Sequence, residues 1–318
     1  MAKVTGVATQ LSGRVGQLVY RQTKSGTVVY EARKLQKPQR SQAQMQVRTQ
    51  WTNLAAVYRQ FNQTLKKGFE GLGGRMNDYT AFLQANVNAV KVYVPRHVRL
   101  NGGSVLAPYQ ITRGSLPSIA VKVGADGVLV SDLRLGQLQV GADTTVAMLS
   151  EALMACNEGY EAGDQLTFFY GQQTLDSVTG TPRARIAGYR VTLDPADDTP
   201  LWEVVSALGF SSVADASGTE YLLGMCSPIT EAAAVWIHSR EEVTGGLKVS
   251  TQFLYVDSSL LAGYQTESAM QAAADSLAAS TAVRSISIRT AGPVGHKSPL
   301  GDNQGKCAIF PLISLSGV

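Results

Sequence analysis

Six large apolar residues, Val47, Trp51, Leu54, Tyr58, Phe61 and Leu65, recur at steps of 4, 3, 4, 3 and 4. That spacing is an a/d seam, and it predicts one long amphipathic helix. Ser41 followed by Gln44 forms a capping box at its start, and Pro38 blocks any earlier helix. Glycines at 68, 71, 73 and 74 stop it, so the helix is expected over 41–67. Its other faces are rich in glutamine, with Arg48 and Arg59 interspersed. A solvated helix usually carries Glu/Lys pairs. A neutral glutamine face is easier to bury in a hydrogen-bonded interface; an ordinary polar helix face is the plain alternative. A second helix is expected over 77–90, with Tyr79, Phe82, Leu83, Val87 and Val90 as its stripe. The two would pair as an antiparallel helical hairpin.

The stretch LSGRVGQLVYRQTKSGTVVYEARK, residues 11–34, precedes this helix. Runs 4–9, 15–21 and 27–33 read as strands on their β-branched and aromatic content. Gly26 can supply the positive φ of a tight turn, and Gly13 and Gly16 permit bends or close backbone approach. A lone hairpin is marginal in water, so this one must pack on something.

Charge is divided along the chain. Residues 1–100 hold 16 Lys/Arg against three acids, and the remainder holds 12 bases against 21 acids. The basic end suits a polyanion such as nucleic acid, or the acidic body of a neighbouring copy. Only 16% of residues are charged, below the usual quarter, which leaves more uncharged surface to hide against partners.

From residue 119 onward short β runs alternate with a few helices, the latter expected at 144–156, 200–208 and 264–279. The segment 91–118 reads as an extended connection. The expected fold class is α+β: an N-terminal β-hairpin arm and two-helix hairpin, followed by a helix-decorated antiparallel β-sandwich-like domain. The corresponding divisions are 1–37, 38–118 and 119–318.

The stretches SGRVGQLVYRQTKSGTVVYEARK, RSQAQMQVRTQW, LKKGFE and YQITRGSLPS carry a resemblance. Residues 12–118 resemble a family of uncharacterised proteins common in gut Bacteroidetes genomes, a domain of unknown function. The matching positions are Ser12–Gly16, Arg33, Gln44–Arg48, Gly68–Phe69 and Arg113–Pro117. The later stretch AVWIHSREEVTGGLKVSTQ looks like the family's closing strand pair, and the chain is longer than typical members between residues 130 and 230. The family's phage-like gene contexts imply a virion or assembly role; the resemblance implies no activity.

The residues show no reaction either. His97, His238 and His296 have no H-x-x-x-H or H-x-E spacing, so no metal is expected. GDNQGKC at 301–307 is one residue short of a phosphate loop, and Cys307 replaces the hydroxyl residue. DPADDTP at 194–200 lacks the glycine and distal glutamate of a calcium loop. A helix cap explains Asp197, Asp198 and Thr199 better. No cofactor motif is present, and three dispersed cysteines point to a compartment that needs no disulfides. The first residues carry no apolar leader and no stretch is a membrane span, so assembly in the bacterial cytoplasm, and residence in a virion, is the expectation.

These readings converge on a non-enzymatic, self-assembling bacteriophage tail or head–tail component that binds copies of itself and other virion proteins. The expected assembly residues are Gly13, Arg14, Gly16, Tyr20, Arg21, Gly26, Tyr30, Arg33, Trp51, Tyr58 and Phe61. The alternative is a nucleic-acid-binding protein that uses the bases of residues 14–48, with Tyr20 and Tyr30 for base stacking.

Overall fold

A computed structural model describes residues 2–3, 12–24, 26–32, 41–62, 64–65, 67–73, 76–124, 126–205, 207–242 and 245–289. It divides into two units, 1–279 and 280–318. The first holds all the described sheets. Of the second, residues 280–289 are described; they are the end of a helix.

The chain begins with β1 (Ala2–Lys3), β2 (Gly13–Val15), β3 (Leu18–Thr23) and β4 (Gly26–Glu31), a four-stranded antiparallel sheet in the order β1-β4-β3-β2. The run expected as one strand over 15–21 is two. Val15 pairs directly with Leu18, so Gly16 and Gln17 form a two-residue turn. Gly16 sits at φ 58°, the left-handed conformation such a turn demands and glycine takes without strain. The second hairpin closes at Thr23 and Gly26. Gly26 has φ 116°, so its positive φ falls at the strand start and outside the two-residue turn. The expected strand at 4–9 lies outside the described residues.

Helix α1 (Gln42–Phe61) follows, with the Ser41 hydroxyl accepting from Gln44 N at 3.4 Å. Its buried residues are Met45, Thr49, Asn53, Leu54, Val57 and Phe61. The a/d seam therefore holds from Leu54 onward and fails before it: Val47 and Trp51 face solvent, and Met45 and Thr49 turn inward. The helix also ends earlier than expected, at Asn62, where Leu65 N bonds back to Phe61 O. Helix α2 (Asp78–Asn86) is capped by Asn77, whose side chain accepts from Thr80 N. Its first residue, Asp78, accepts from the backbone N–H of both Gly68 and Phe69, at 2.7 and 3.0 Å. That clamp ties the loop after α1 to the start of α2.

Residues 91–118 contain a short helix, α3 (Arg96–Leu100), and β5 (Gln110–Thr112). Then come β6 (Val121–Val123), β7 (Val128–Gly136), α4 (Val146–Cys156), β8 (Gln165–Leu175) and β9 (Pro182–Thr192). They are followed by α5 (Leu201–Val204), a 3-10 turn (Ala207–Gly209), β10 (Ser211–Ala214), β11 (Tyr221–Pro228) and β12 (Ala232–Glu241). The unit closes with β13 (Leu247–Val249), β14 (Gln252–Phe253), β15 (Tyr255–Asp257), α6 (Ser259–Gly263) and α7 (Glu267–Arg289). The architecture is mixed α+β: an N-terminal antiparallel hairpin region and several open antiparallel sheets decorated by helices.

Strand β12 explains the packing. From Ala232 to Ser239 it is buried throughout, which its unbroken apolar run requires of a strand covered on both faces. Ala233, Val235 and Ile237 point into one core with Phe169 of β8, Leu54, Val57 and Phe61 of α1, and Phe82 of α2. Ala232, Ala234 and Trp236 point into a second core with Phe168 of β8, Leu129 and Leu133 of β7, and Leu149 and Leu153 of α4. Alternation along two strands thus splits the apolar residues between the two cores. The first core takes buried residues from Leu54 to Ile111, so the helical hairpin and the sheet are built around shared apolar contacts.

Candidate assembly interface

Neither core contains a residue before Leu54. Among the described residues the N-terminal sheet adds no side chain to either core; its register is held by the backbone ladder, and Thr27 of β4 is buried. Its register sets the faces. Val15, Leu18, Tyr20 and Val29 share one, and Arg14, Val19, Arg21, Val28 and Tyr30 share the other. Val15 is 70% exposed and Leu18 44%. Gly13 and Arg14 lie in β2, the edge strand, whose outer side has no described partner strand. The Arg14 Nε donates to Gly16 O at 2.9 Å, which holds its guanidinium over the turn. No carboxylate stands within ion-pair distance of Arg14, Arg21 or Lys24 among the described residues. Arg33 lies outside the described residues.

The helix residues expected beside the arm separate into two kinds. Trp51 is 45% exposed on the face of α1 turned away from the core. Tyr58 instead packs between Tyr79 and Phe82 of α2, each ring centroid 5.2 Å away. Phe61 is buried and meets Phe169 edge-on at 4.9 Å. Both belong to this chain's own packing. Between α1 and α3 runs an open groove of about 470 Å³, lined by Thr52, Ala56, Arg59, Gln60, Arg99 and Gly103 among others. Neither Arg59 nor Arg99 has an ion-pair partner among the described residues.

One ionic cluster is built into the body. His238 Nε2 lies 2.7 Å from Asp164 Oδ2, and both side chains are shut away from water. Arg240 grips the same carboxylate with two bonds, Nε to Oδ1 at 2.6 Å and Nη2 to Oδ2 at 2.8 Å. It also reaches Glu161 and the Gly159 carbonyl. The Tyr160 ring stacks on the imidazole at 4.1 Å. Burial pushes Asp164 up, but Arg240, the Glu161 N–H and His238 outweigh it and leave the carboxyl below its ordinary range. Burial lowers His238 in turn, against the pull of Asp164. Among the described residues its buried Nδ1 has no partner, so a proton added there would find no acceptor. The cluster pins the loop before β8 to the end of β12. His238 is fully interior.

Among the described residues no group of three or more His, Cys, Asp or Glu is placed to hold a metal ion. No described helix is long and apolar enough to cross a membrane. His296, Cys307 and the GDNQGKC stretch lie outside the described residues. Asp197 does not cap α5: its Oδ1 accepts from Thr199 N at 2.9 Å in a local turn, and the position before the helix is Pro200.

Sequence reasoning missed two surface features. One is the Arg59/Arg99 groove, whose arginines are 40 residues apart and meet only because α1 and α3 pack side by side. The other is the exposure of the large apolar residues Trp202 and Met148. Compared with known protein-family models, curated proteins and solved structures, the chain matches none.

Proposed function

We propose that the chain is a non-enzymatic structural subunit that assembles with copies of itself through its N-terminal sheet. On the family resemblance, the assembly is a bacteriophage tail or head–tail structure formed in the bacterial cytoplasm. The observation that carries this reading is a four-stranded sheet that adds no described side chain to either core and leaves Val15 and Leu18 exposed. An isolated sheet of this size needs a hydrophobic contact to be stable. A neighbouring subunit supplies one, and the open edge of β2 can extend a neighbour's sheet by strand addition. The β-rich, sandwich-like body then forms the acidic outer or partner-facing part. Deleting residues 1–37 tests this. Light scattering is expected to show large, defined assemblies for the full chain and a folded monomer for the truncated one. Normal assembly without the arm would sink the reading.

A second reading has its own observation. Arg59 and Arg99 face one groove without a counter-ion among the described residues, with Arg48 exposed further along the same helix face, an arrangement suited to a phosphate backbone. It predicts DNA binding at about 50 mM salt that falls steeply with added salt. An absence of binding at that salt removes it.

A further inference from the structure

One face of the central sheet changes character along its length. Phe169 of β8, Ile186 of β9 and Val235 of β12 all turn to the first core. The same alternation, followed along each strand, puts Thr167 and Gln165 of β8, Arg190 of β9, and Ser239 and Glu241 of β12 on that face. Thr167 pairs with Arg190 on one side and Ile237 on the other, and Gln165 pairs with Ser239, so the polar residues lie together. Helix α1 covers the sheet as far as Phe61, which meets Phe169, and ends at Asn62. Past that cover, Leu65 and Lys67 join Gln165, Arg190, Ser239 and Glu241 around an open pocket of about 330 Å³.

Two opposite charges line this pocket without partners. Arg190 is half-buried, and its guanidinium is fixed: Nε donates to Thr167 Oγ1 at 3.2 Å and Nη2 to Thr64 O at 2.6 Å. A guanidinium has about five N–H donors, so others are left over. No carboxylate lies within ion-pair distance of Arg190 among the described residues, and no cation lies so near Glu241. Glu242, at the same pocket, is held by Lys248 at 2.8 Å. Strand β8 separates β9 from β12, which sets Arg190 and Glu241 on strands about 10 Å apart. A half-buried cation without a counter-ion bears a desolvation cost that a bound anion offsets.

We propose that the pocket binds a small zwitterion, its carboxylate on Arg190 and its ammonium on Glu241. The two charges of the ligand are separated by several carbons, as in an ω-amino acid, so that the molecule reaches across β8. The planar guanidinium fork matches a carboxylate, and Leu65 offers apolar contact to the methylene chain. The volume is at the lower end of small-molecule sites. The site is separate from the N-terminal sheet and does not depend on how copies assemble.

The test is calorimetric titration of the full chain with 6-aminohexanoate, hexanoate, hexylamine and glycine, with amide NMR shifts to locate the ligand. 6-Aminohexanoate is expected to bind at least about tenfold tighter than the other three, because it alone engages both charges at their spacing. Its shifts are expected at Gln165, Arg190 and Ser239. Glu241→Gln, at an exposed position, should remove the advantage over hexanoate. Arg190→Gln should abolish binding of both. Because Arg190 also holds Thr64 O, urea unfolding checks that variant, and Glu241→Gln carries the test if it does not fold. Equal binding of hexanoate and 6-aminohexanoate would make this an anion site alone and overturn the proposal. So would shifts that fall elsewhere, or no saturable shift at these residues up to about 10 mM ligand.

Discussion

His238 Nε2 meets Asp164 Oδ2 at 2.7 Å while its other ring nitrogen, Nδ1, is buried without a partner among the described residues. With a carboxylate as acceptor, Nε2 carries the proton and the neutral ring suits the site. Burial holds the folded-state pKa below the ordinary 6.5. The unfolded chain therefore takes up this proton first as pH falls. Stability is expected to be level above about pH 6.5 and to decline below it, by at most about 1.4 kcal/mol per pH unit for one proton. Asp164, held below its ordinary 3.8, adds a further loss when pH falls through that range. Urea denaturation between about pH 5 and 8 reads the first effect. His238→Gln, whose amide can still donate to Asp164, should flatten the curve there. An unchanged slope in the variant would place the titration on another group.

Asp164 itself should be hard to replace. Asp164→Ala leaves His238 fully buried with no acceptor for Nε2 and takes from Arg240 its two-bond partner. Removing one member of a buried ionic pair costs about 3–5 kcal/mol. Denaturant unfolding of Asp164→Ala against Arg240→Ala separates the two, because Arg240 is 24% exposed and rehydrates when unpaired. The Asp164 variant is expected to lose more.

Asn53 shows what the sequence conveys and what it hides. Its position on α1 reads as polar, yet it is buried. Its Nδ2 donates to Val105 O and the Tyr109 hydroxyl, each at 2.8 Å, and its Oδ1 accepts from Val105 N at 2.8 Å. Those partners are more than 50 residues away, so no local pattern announces them. The same cause misplaced the seam. Leu54 and Phe61 follow the heptad because α2 and β8 cover that half of the helix. Further towards the N-terminus the covering surface shifts, Met45 and Thr49 take the inner face, and Val47 and Trp51 are left outside. The start of α1 was legible from its cap at Ser41. The split of 15–21 into two strands was not, because it depends on one glycine turn inside a run of good β formers. Asn53→Ala removes three buried bonds and is expected to cost about 2–4 kcal/mol, read by urea unfolding.

Gly209 sits where only glycine fits. A Cβ there would overlap the Phe168 ring, and Trp236 Nε1 donates to Gly209 O at 2.9 Å. Its φ is not in the left-handed region, so the requirement is packing alone. Gly209→Ala should therefore cost about 1–3 kcal/mol through displaced aromatic rings, with near-ultraviolet circular dichroism of Trp236 altered. A paired Phe168→Leu change frees space at that ring and should recover part of the loss. No recovery would mean that the backbone, and not the ring, resists the added carbon.

Trp51 and Phe61 provide the sharpest contrast on one helix. Both fit the same apolar repeat, but Phe61 is buried against Phe169 and Trp51 is 45% exposed. Phe61→Ala is expected to cost about 3–5 kcal/mol, the toll of a core aromatic. Trp51→Ala should move the stability of the monomeric, arm-deleted chain by no more than about 0.5 kcal/mol, as for a surface position. Measured in the full-length assembly, the same Trp51→Ala change separates two roles for the outer face of α1. A shift in the half-assembly concentration makes the glutamine-rich face part of a subunit contact. An identical concentration makes it a solvated helix surface, with the arm carrying the contact alone.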